Sequence, residues 1–589
     1  MKAPPSLSHG PTYGVQRLRE FALPAGRHLV VVAVLLIVAA ASVRAAGMVI
    51  DFAAQDPDLL ITGAAGNENL GVDQAVGDLD GDGVDDLVIG APWAHRASDE
   101  QFAGRVYVFF GGEDRPPSVS AGDADVTIIG AAPLDQLGGG SLRQPGTIAI
   151  GDVNGDGLGD LILGASDARS RSGEVRILFG RTRVAWEATP TIDLATTPGD
   201  VVITAVGVRS WLGTTVAVGD INGDSMQDVI AGAPGADGPN SDRRDAGEVY
   251  IFFGRDPWPG TLVAEEDADV RVVGAQREDL LGSGLAVGKL DATPADDVAM
   301  GGRGGAGGQV HVLFGSSNLP RTRDLSNMPA DWIIVAADPG DDMGRYLSVG
   351  DVSGDGQPDL EIGVPGGDGP NGVRTDAGEV AVLFGPRESG TVTNLGDGAD
   401  FLLFGPQGGT SKRPGGRLGD NMALGDFNDD HVMDLVAGAS LGQGAGDSLD
   451  KAGEAYVVFG GSLPSSLDLS AGDADITIFG RDNGDYLGRV AAGNLDGVSP
   501  DDLALGAYRA DVTNAEMLED AGKVFVVYRQ VVQLTPTPSA TPAETATATV
   551  TPGPGTPTLT PTPSLTPEAS VTPSEFEYLP LIMAQYANP

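Results

Sequence analysis

The sequence predicts an all-β fold, a seven-bladed β-propeller, on three observations. A unit of about seventy residues recurs seven times along the chain; each unit holds about four short apolar runs; and glycine is abundant, with 88 of 589 residues, beside 40 prolines and only 5% aromatics. Glycine and proline are costly inside helices and suit the tight turns between short strands.

The clearest unit runs from Gly77 through Asp78, Asp80, Asp82 and Asp86 into Leu87–Pro92. Equivalent segments begin at Asp152, Asp220, Lys289, Asp351, Asp426 and Asn494, at intervals of 74, 68, 69, 62, 75 and 68 residues. Upstream of each acidic segment stand an apolar run such as Val126–Gly130 or Ile476–Gly480 and then a Leu-Gly pair, as in Leu281-Gly282, Leu418-Gly419 and Leu487-Gly488. Downstream comes a run ending in aromatic-Gly, as in Val106–Gly111, Val175–Gly180, Val249–Gly254, Val310–Gly315, Val380–Gly385 and Tyr456–Gly460. Their alternation and β-branched content predict strands of about five residues. A blade of four such strands cannot bury both faces alone and must pack on its neighbours around a ring.

Closure of the ring leaves its own trace. Six units are followed by a segment like Ile192-Asp193-Leu194 or Leu467-Asp468-Leu469, whereas the last strand, Val524–Tyr528, has none. The missing partner stands near the other end as Val49–Phe52, which is expected to complete the final blade by hydrogen bonding.

The acidic loops predict calcium sites. Calcium prefers hard oxygen ligands, and a loop with ligands at alternate positions wraps around it where glycine permits the turn. Asp78, Asp80, Asp82 and Asp86 occupy positions 1, 3, 5 and 9 of the first loop, with the Val84 carbonyl at position 7. The second offers Asp152, Asn154, Asp156 and Asp160 with Leu158; the third offers Asp220, Asn222, Asp224 and Asp228 with Met226. The fifth has Asp351, Ser353, Asp355 and Asp359 with Gln357, and the sixth Asp426, Asn428, Asp430 and Asp434 with Val432. An EF-hand would need a bidentate Glu at position 12, where these loops carry Ile89, Leu163, Ala231, Ile362 and Ala437. The strand-like residues that follow place each loop in a β-hairpin instead. The fourth loop begins with Lys289 and keeps only Asp291 and Asp297, so no calcium is expected; one reading puts the Lys289 ammonium in place of the ion's charge. The seventh has Asn494, Asp496 and Asp502, but Val498 at position 5. With a dissociation constant of about 0.1 mM and about 1 mM free calcium, one site adds ~1.4 kcal/mol to folding. Five add ~7 kcal/mol, comparable with a domain's whole stability.

The alternating Phe-Gly and Gly-Ala-Pro landmarks, as in Phe253-Gly254 with Gly232-Ala233-Pro234, resemble the FG-GAP repeats of integrin α-subunits over about residues 48 to 530. The resemblance implies a propeller with calcium sites of the integrin type that binds an extracellular protein or glycan. The ligand-binding domain that one integrin class inserts between blades has no room in this even spacing. FG-GAP repeats also accompany catalytic domains in some phospholipases, for which the flanks here are too short.

Composition narrows the partners. A formal charge of −46 makes attraction to nucleic acid or an anionic membrane unfavourable. The absence of cysteine removes thiolate sites, thiol nucleophiles and disulfides together. No zinc-binding histidine pair occurs, and His95, His311 and His431 fall at non-equivalent places, with His431 read as a solvated loop residue. The expected function is therefore non-enzymatic: adhesion, ligand binding or scaffolding at the cell surface. The alternative is a polysaccharide-active enzyme or a lectin that uses the propeller face. Trp93, Trp186, Trp211, Trp258 and Trp332 occupy different places in their units, which favours packing roles over repeated sugar platforms.

Three segments flank the propeller, itself expected over 46–533. Residues 1–45 read as an export signal: Arg17, Arg19 and Arg27 precede the apolar run Leu29–Ala41, and Val43-Arg44-Ala45 suits cleavage. Residues 534–574 are expected to be a disordered Thr/Pro-rich stalk of extended, semi-rigid character. The apolar tail over 575–589 is too short to cross a bilayer and reads either as a sorting or anchoring signal or as a frayed end.

Overall fold

Each repeat folds into one twisted sheet, and the sheets pack face to face in a ring. The computed structural model describes residues 47–96, 101–112, 115–139, 146–303, 307–410, 413–513 and 517–528. Within them lie seven five-stranded sheets, the blades, numbered here by their acidic loops. In blade 1 the strands Gln74–Gly77, Asp86–Ala91, Arg105–Phe109 and Val126–Ile129 pair antiparallel in sequence order. A fifth strand, Thr191–Asp193, then adds parallel to the fourth at the outer edge. The Ile192-Asp193-Leu194 type of segment is thus a fifth strand, and the blades hold five strands rather than about four.

The second strand is the structural centre of every blade. Asp86–Ala91, Asp160–Ala165, Asp228–Ala233, Asp297–Gly302, Asp359–Val364, Asp434–Ala439 and Asp502–Ala507 are buried at every position. Burial on both faces explains their near-continuous apolar reading. The hydrophobic core is accordingly divided among the joints between blades. Val88 and Val106 of blade 1 pack on Leu161 and Leu163 of blade 2, and the pattern recurs around the ring. The closing joint sets Leu87, Ile89 and Phe109 of blade 1 against Ala504, Val524 and Val526 of blade 7.

Close approach at these joints accounts for one glycine in each repeat. A Cβ on Gly90, Gly232 or Gly363 would lie 1.8, 2.3 or 2.1 Å from the carbonyl oxygen of Gly138, Gly282 or Gly419, the glycine of the next Leu-Gly turn. Real Cβ atoms do not approach backbone oxygen this closely, so only glycine lets neighbouring blades meet here.

The N-terminal segment closes the ring across two blades, which corrects the expectation for Val49–Phe52. Met48–Asp51 pairs parallel with Ile476–Phe479 and is the fifth strand of blade 6, not part of the final blade. Blade 7 is completed by the following strand, Leu59–Thr62, antiparallel to Lys523–Val527, and Ser118–Ser120 adds outside it. Between the two strands Phe52 stacks on Phe525 at 4.5 Å, and Arg481 holds the Phe52 carbonyl at 2.8 Å and Asp56 at 2.7 Å. The difference is one of strand rank: Val49–Phe52 reads like the fifth-strand segments and takes a fifth-strand place.

The export signal, the stalk and the tail lie outside the described residues. Among the described residues no helix is long and apolar enough to cross a membrane.

Candidate metal centres in the acidic loops

Each acidic loop connects the first strand of a blade to the second, and its position-2 side chain anchors it in the core: Leu79, Val153, Ile221, Leu290, Val352, Phe427 and Leu495 are all buried. Two tryptophans brace loops from the neighbouring blade. Trp186 Nε1–H donates to the Leu79 carbonyl at 3.3 Å and Trp258 Nε1–H to the Val153 carbonyl at 2.9 Å. Trp186, Trp258 and Trp332 are buried, in keeping with packing roles.

The five complete loops share one hydrogen-bonded turn. In the first, Asp78 Oδ1 accepts from the Gly81 amide at 2.7 Å and Oδ2 from the Gly83 amide at 3.0 Å, while Asp82 accepts from Val84 at 2.9 Å. Asp152 holds Gly155 and Gly157 in this way, Asp220 holds Gly223 and Ser225, and Asp351 holds Gly354 and Gly356. Asp426 accepts from Asp430 and His431. The position-7 amides of Leu158, Met226, Gln357 and Val432 likewise donate to Asp156, Asp224, Asp355 and Asp430. Positions 4 and 6 need positive φ, which Gly81 and Gly83 supply freely; Ser225, Asp429 and His431 adopt it at 75°, 62° and 67°.

Position 9 is buried in all seven loops and carries a second duty. Asp86 Oδ2 accepts from Leu79 at 2.8 Å, and Oδ1 from Gly111, the glycine of the aromatic-Gly pair, at 2.9 Å. Asp160, Asp228, Asp359 and Asp434 each hold the corresponding glycine, Gly180, Gly254, Gly385 or Gly460. Asp297 does so in the fourth loop, which lacks a ligand set, holding Leu290 at 2.7 Å and Gly315 at 2.8 Å. Burial pushes Asp86, Asp160, Asp228, Asp297 and Asp434 up to about 7 and Asp359 to about 6. The residue is therefore an architectural brace as well as a candidate ligand, a role the ligand pattern alone did not disclose.

The residues fit a hard cation best in the first loop. Oxygen atoms of Asp78, Asp80 and Asp86 lie within 4.8 Å of one another. Asp80 Oδ2 is buried without a hydrogen-bond donor, and a bare buried carboxylate oxygen is costly unless a cation meets it. In the second and third loops the position-3 amide nitrogen sits between the carboxylates: Asn154 Nδ2 reaches Asp156 at 3.1 Å and Asp160 at 3.4 Å, and Asn222 Nδ2 reaches Asp224 at 3.0 Å and Asp228 at 3.4 Å. Asn428 Nδ2 donates to Asp434 at 3.4 Å, and Ser353 Oγ to Asp351 at 3.4 Å. The sixth loop also gathers Asp429 and His431 around Asp426, a grouping the alternate-position reading missed because both residues stand at glycine positions. His431 is 90% exposed, as expected of a loop residue. Lys289 is exposed and makes no ion pair among the described residues. In the seventh, Asp502 braces Leu495 and Asp496 while Val498 faces solvent.

The loops are also joined to one another. The position-8 amide of one loop donates to the position-1 carbonyl of the loop before it: Gly159 to Asp78 at 3.2 Å, Gln227 to Asp152 at 3.2 Å, Asp296 to Asp220 at 2.8 Å and Met433 to Asp351 at 3.2 Å. Asp501 to Asp426 at 2.9 Å and Asp85 to Asn494 at 3.0 Å carry the chain of bonds across the closure. The joint between blades 4 and 5 lacks one, because Pro358 has no N–H to give.

The family model for the FG-GAP repeat matches residues 75–109, 145–178, 212–252 and 343–383, which are blades 1, 2, 3 and 5. These are FG-GAP repeats. The FG-GAP glycines are the ones described above: that of Phe-Gly donates to the position-9 carboxylate, and that of Gly-Ala-Pro lets adjacent blades touch. Unmatched blades 4, 6 and 7 read Gly301-Gly302-Arg303, Gly438-Ala439-Ser440 and Gly506-Ala507-Tyr508 at the second landmark. Among curated relatives, a phosphatidylinositol-glycan-specific phospholipase D of Bos taurus is 31% identical over 188 residues, 31% of this chain and 20% of that protein. Integrin alpha pat-2 of Caenorhabditis elegans is 32% identical over 200 residues, 32% of this chain and 14% of that protein. Human integrin alpha-IIb is 32% identical over 167 residues, covering 27% and 15%. The matched stretch spans about a fifth or less of these relatives, which include an enzyme and non-enzymes. A solved Dos1 propeller overlaps 80% of this chain and 95% of its own, at 8% identity and a TM-score of 0.36. The fold is that of an integrin-like FG-GAP propeller.

Proposed function

We propose that the protein is an exported propeller whose acidic loops bind calcium and whose function is ligand binding, adhesion or scaffolding at the cell surface. The observation that carries this reading is the repeated loop. Five copies share one turn, and in the first copy oxygens of Asp78, Asp80 and Asp86 lie within 4.8 Å of one another while a buried Asp80 oxygen has no hydrogen-bond donor. Calcium bound there would fix each loop and, through the bonds between loops, the relative placement of the blades.

The ligand set proposed is that of the first, second, third, fifth and sixth loops. The integrin relatives support a binding role. The test is limited proteolysis of the exported protein in calcium and in EGTA. Recovery of the chain outside the cell, with protection in calcium and rapid cleavage in EGTA, is the expected result. Retention inside the cell, or equal cleavage in both buffers, would overturn the reading.

A further inference from the structure

A cluster of positive side chains in this acidic chain lies on the face opposite the acidic loops. The acidic loops join first to second strands; the connections from second to third strands, and from one blade to the next, emerge at the other end. There, connections of blades 4 to 7 surround a cavity of about 570 Å³. It adjoins a channel of about 160 Å³ on the ring axis, with which it shares Arg345, Tyr346 and Arg489. Arg303, Arg345, Arg417, Lys451, Arg489 and Arg509 line the cavity, against only Asp342 and Asp420 among acidic residues, in a chain of net charge −46.

Carboxylates offset only part of this charge: Asp342 and Asp420 line the cavity, and Asp520 pairs with Arg509 at 3.1 Å. Asp342 is shared by three guanidiniums, those of Arg303 at 2.9 Å, Arg417 at 3.0 Å and Arg345 at 3.6 Å. Both oxygens of Asp420 are engaged by Ser440, through its amide and its hydroxyl. Arg489 is 4% exposed; it donates from Nη1 to the Asp420 carbonyl at 2.7 Å, and its Nε has no hydrogen-bond partner. Lys451 has no ion pair among the described residues and lies 5.8 Å from the Tyr486 ring centre, while Arg489 stands 5.7 Å from that of Tyr508. Aromatic rings here hold the cations in place without discharging them. Surplus positive charge in a concave site is a receptor for an anion.

We propose that this cavity binds a short acidic oligosaccharide, whose carboxylate or sulfate groups pair with Arg345, Arg417, Lys451 and Arg489. The proposal rests on the ligand-binding reading above and names the chemistry of the ligand. Planar guanidiniums match such oxyanions in bidentate fashion. The cavity volume suits a ligand of a few sugar rings, and the tyrosine and serine hydroxyls around it suit a hydroxyl-rich molecule. An acidic peptide is less well served, because the cavity offers neither a free sheet edge nor an apolar groove. A long polyanion would meet the repulsion of the remaining surface, so a short chain or a chain end is favoured.

The test is calorimetric titration of the full calcium-saturated chain with a tetrasaccharide carrying two glucuronates and with a sulfated tetrasaccharide. Uncharged cellotetraose and tetraglutamate serve as controls. Saturable one-site binding of a charged sugar is expected, weaker at about 0.3 M than at about 0.05 M salt. Arg417→Ala and Lys451→Glu should each weaken it by about tenfold or more while leaving the unfolding temperature unchanged. Whichever charged sugar binds identifies the oxyanion. No binding of either, equal binding by the variants, or tighter binding of tetraglutamate overturns the proposal. Calcium uptake measured on the same preparation separates the readings: uptake without sugar binding removes the cavity proposal alone, and sugar binding without uptake removes the loop reading alone.

Discussion

His311 sits in the third strand of blade 4, 8% exposed, with Nδ1 lacking a partner. Burial pushes its imidazole down to about 4 from an ordinary 6.5. A base whose folded value is depressed is neutral in the native state, so the unfolded chain binds the extra proton. Its contribution is complete above pH 6.5 and is lost as the pH falls towards 4. Denaturant unfolding of wild type and His311→Leu should therefore diverge in acid, the variant gaining about 3 kcal/mol on wild type between pH 6.5 and 4. Parallel curves would contradict this. Sequence reading placed His311 in a strand but could not show its burial, because the residue alternates with apolar neighbours as an exposed one would. Glu361 is a similar case: it is fully buried, and burial raises its carboxyl well above the usual range, yet its strand reads like the others.

At the scale of the element, the acidic loop was legible in its ligand spacing and its preference for glycine. The double duty of position 9 was not, because it depends on a glycine amide 18 to 26 residues downstream in the cases of Asp297 and Asp228. The fourth loop separates the two duties. Asp297→Ala strips the acceptor from the amides of Leu290, Asp291 and Gly315 and should cost about 3 kcal/mol. Asp291→Ala, whose side chain accepts only from Thr293 among the described hydrogen bonds, should cost less than about 1 kcal/mol. Equal losses on thermal unfolding would mean that position 9 is no brace. The same long-range dependence hid the bonds between loops, since an amide at position 8 carries no side-chain signature; only Pro358 marks, by its lack of an N–H, where one is missing.

For the whole molecule, the repeat fixed the number of blades and their order, and the resemblance of landmarks predicted the ring. The rank of the closing strand was misjudged because Val49–Phe52 and Leu59–Thr62 are both short and apolar, and only pairing distinguishes a fifth strand from a fourth. The consequence is measurable. Ile61 is fully buried in the closing joint, and Ile61→Ala should destabilise the chain by about 3 kcal/mol. Val49 is 58% exposed, and Val49→Ala should change stability by less than about 0.5 kcal/mol. The reverse order on chemical denaturation would return the closure to Val49–Phe52. The cation-lined cavity stayed hidden for a related reason: its six basic residues come from four blades and are scattered from Arg303 to Arg509.

The central claim is that calcium in the acidic loops braces the ring, and calorimetric titration of the metal-stripped chain with calcium tests it most directly. The account predicts about five sites per chain, one fewer in Asp80→Ala, and unfolding temperature rising with occupancy. A chain that takes up no calcium, and unfolds at the same temperature with and without it, would contradict the account and leave the loops as turns held by their own hydrogen bonds.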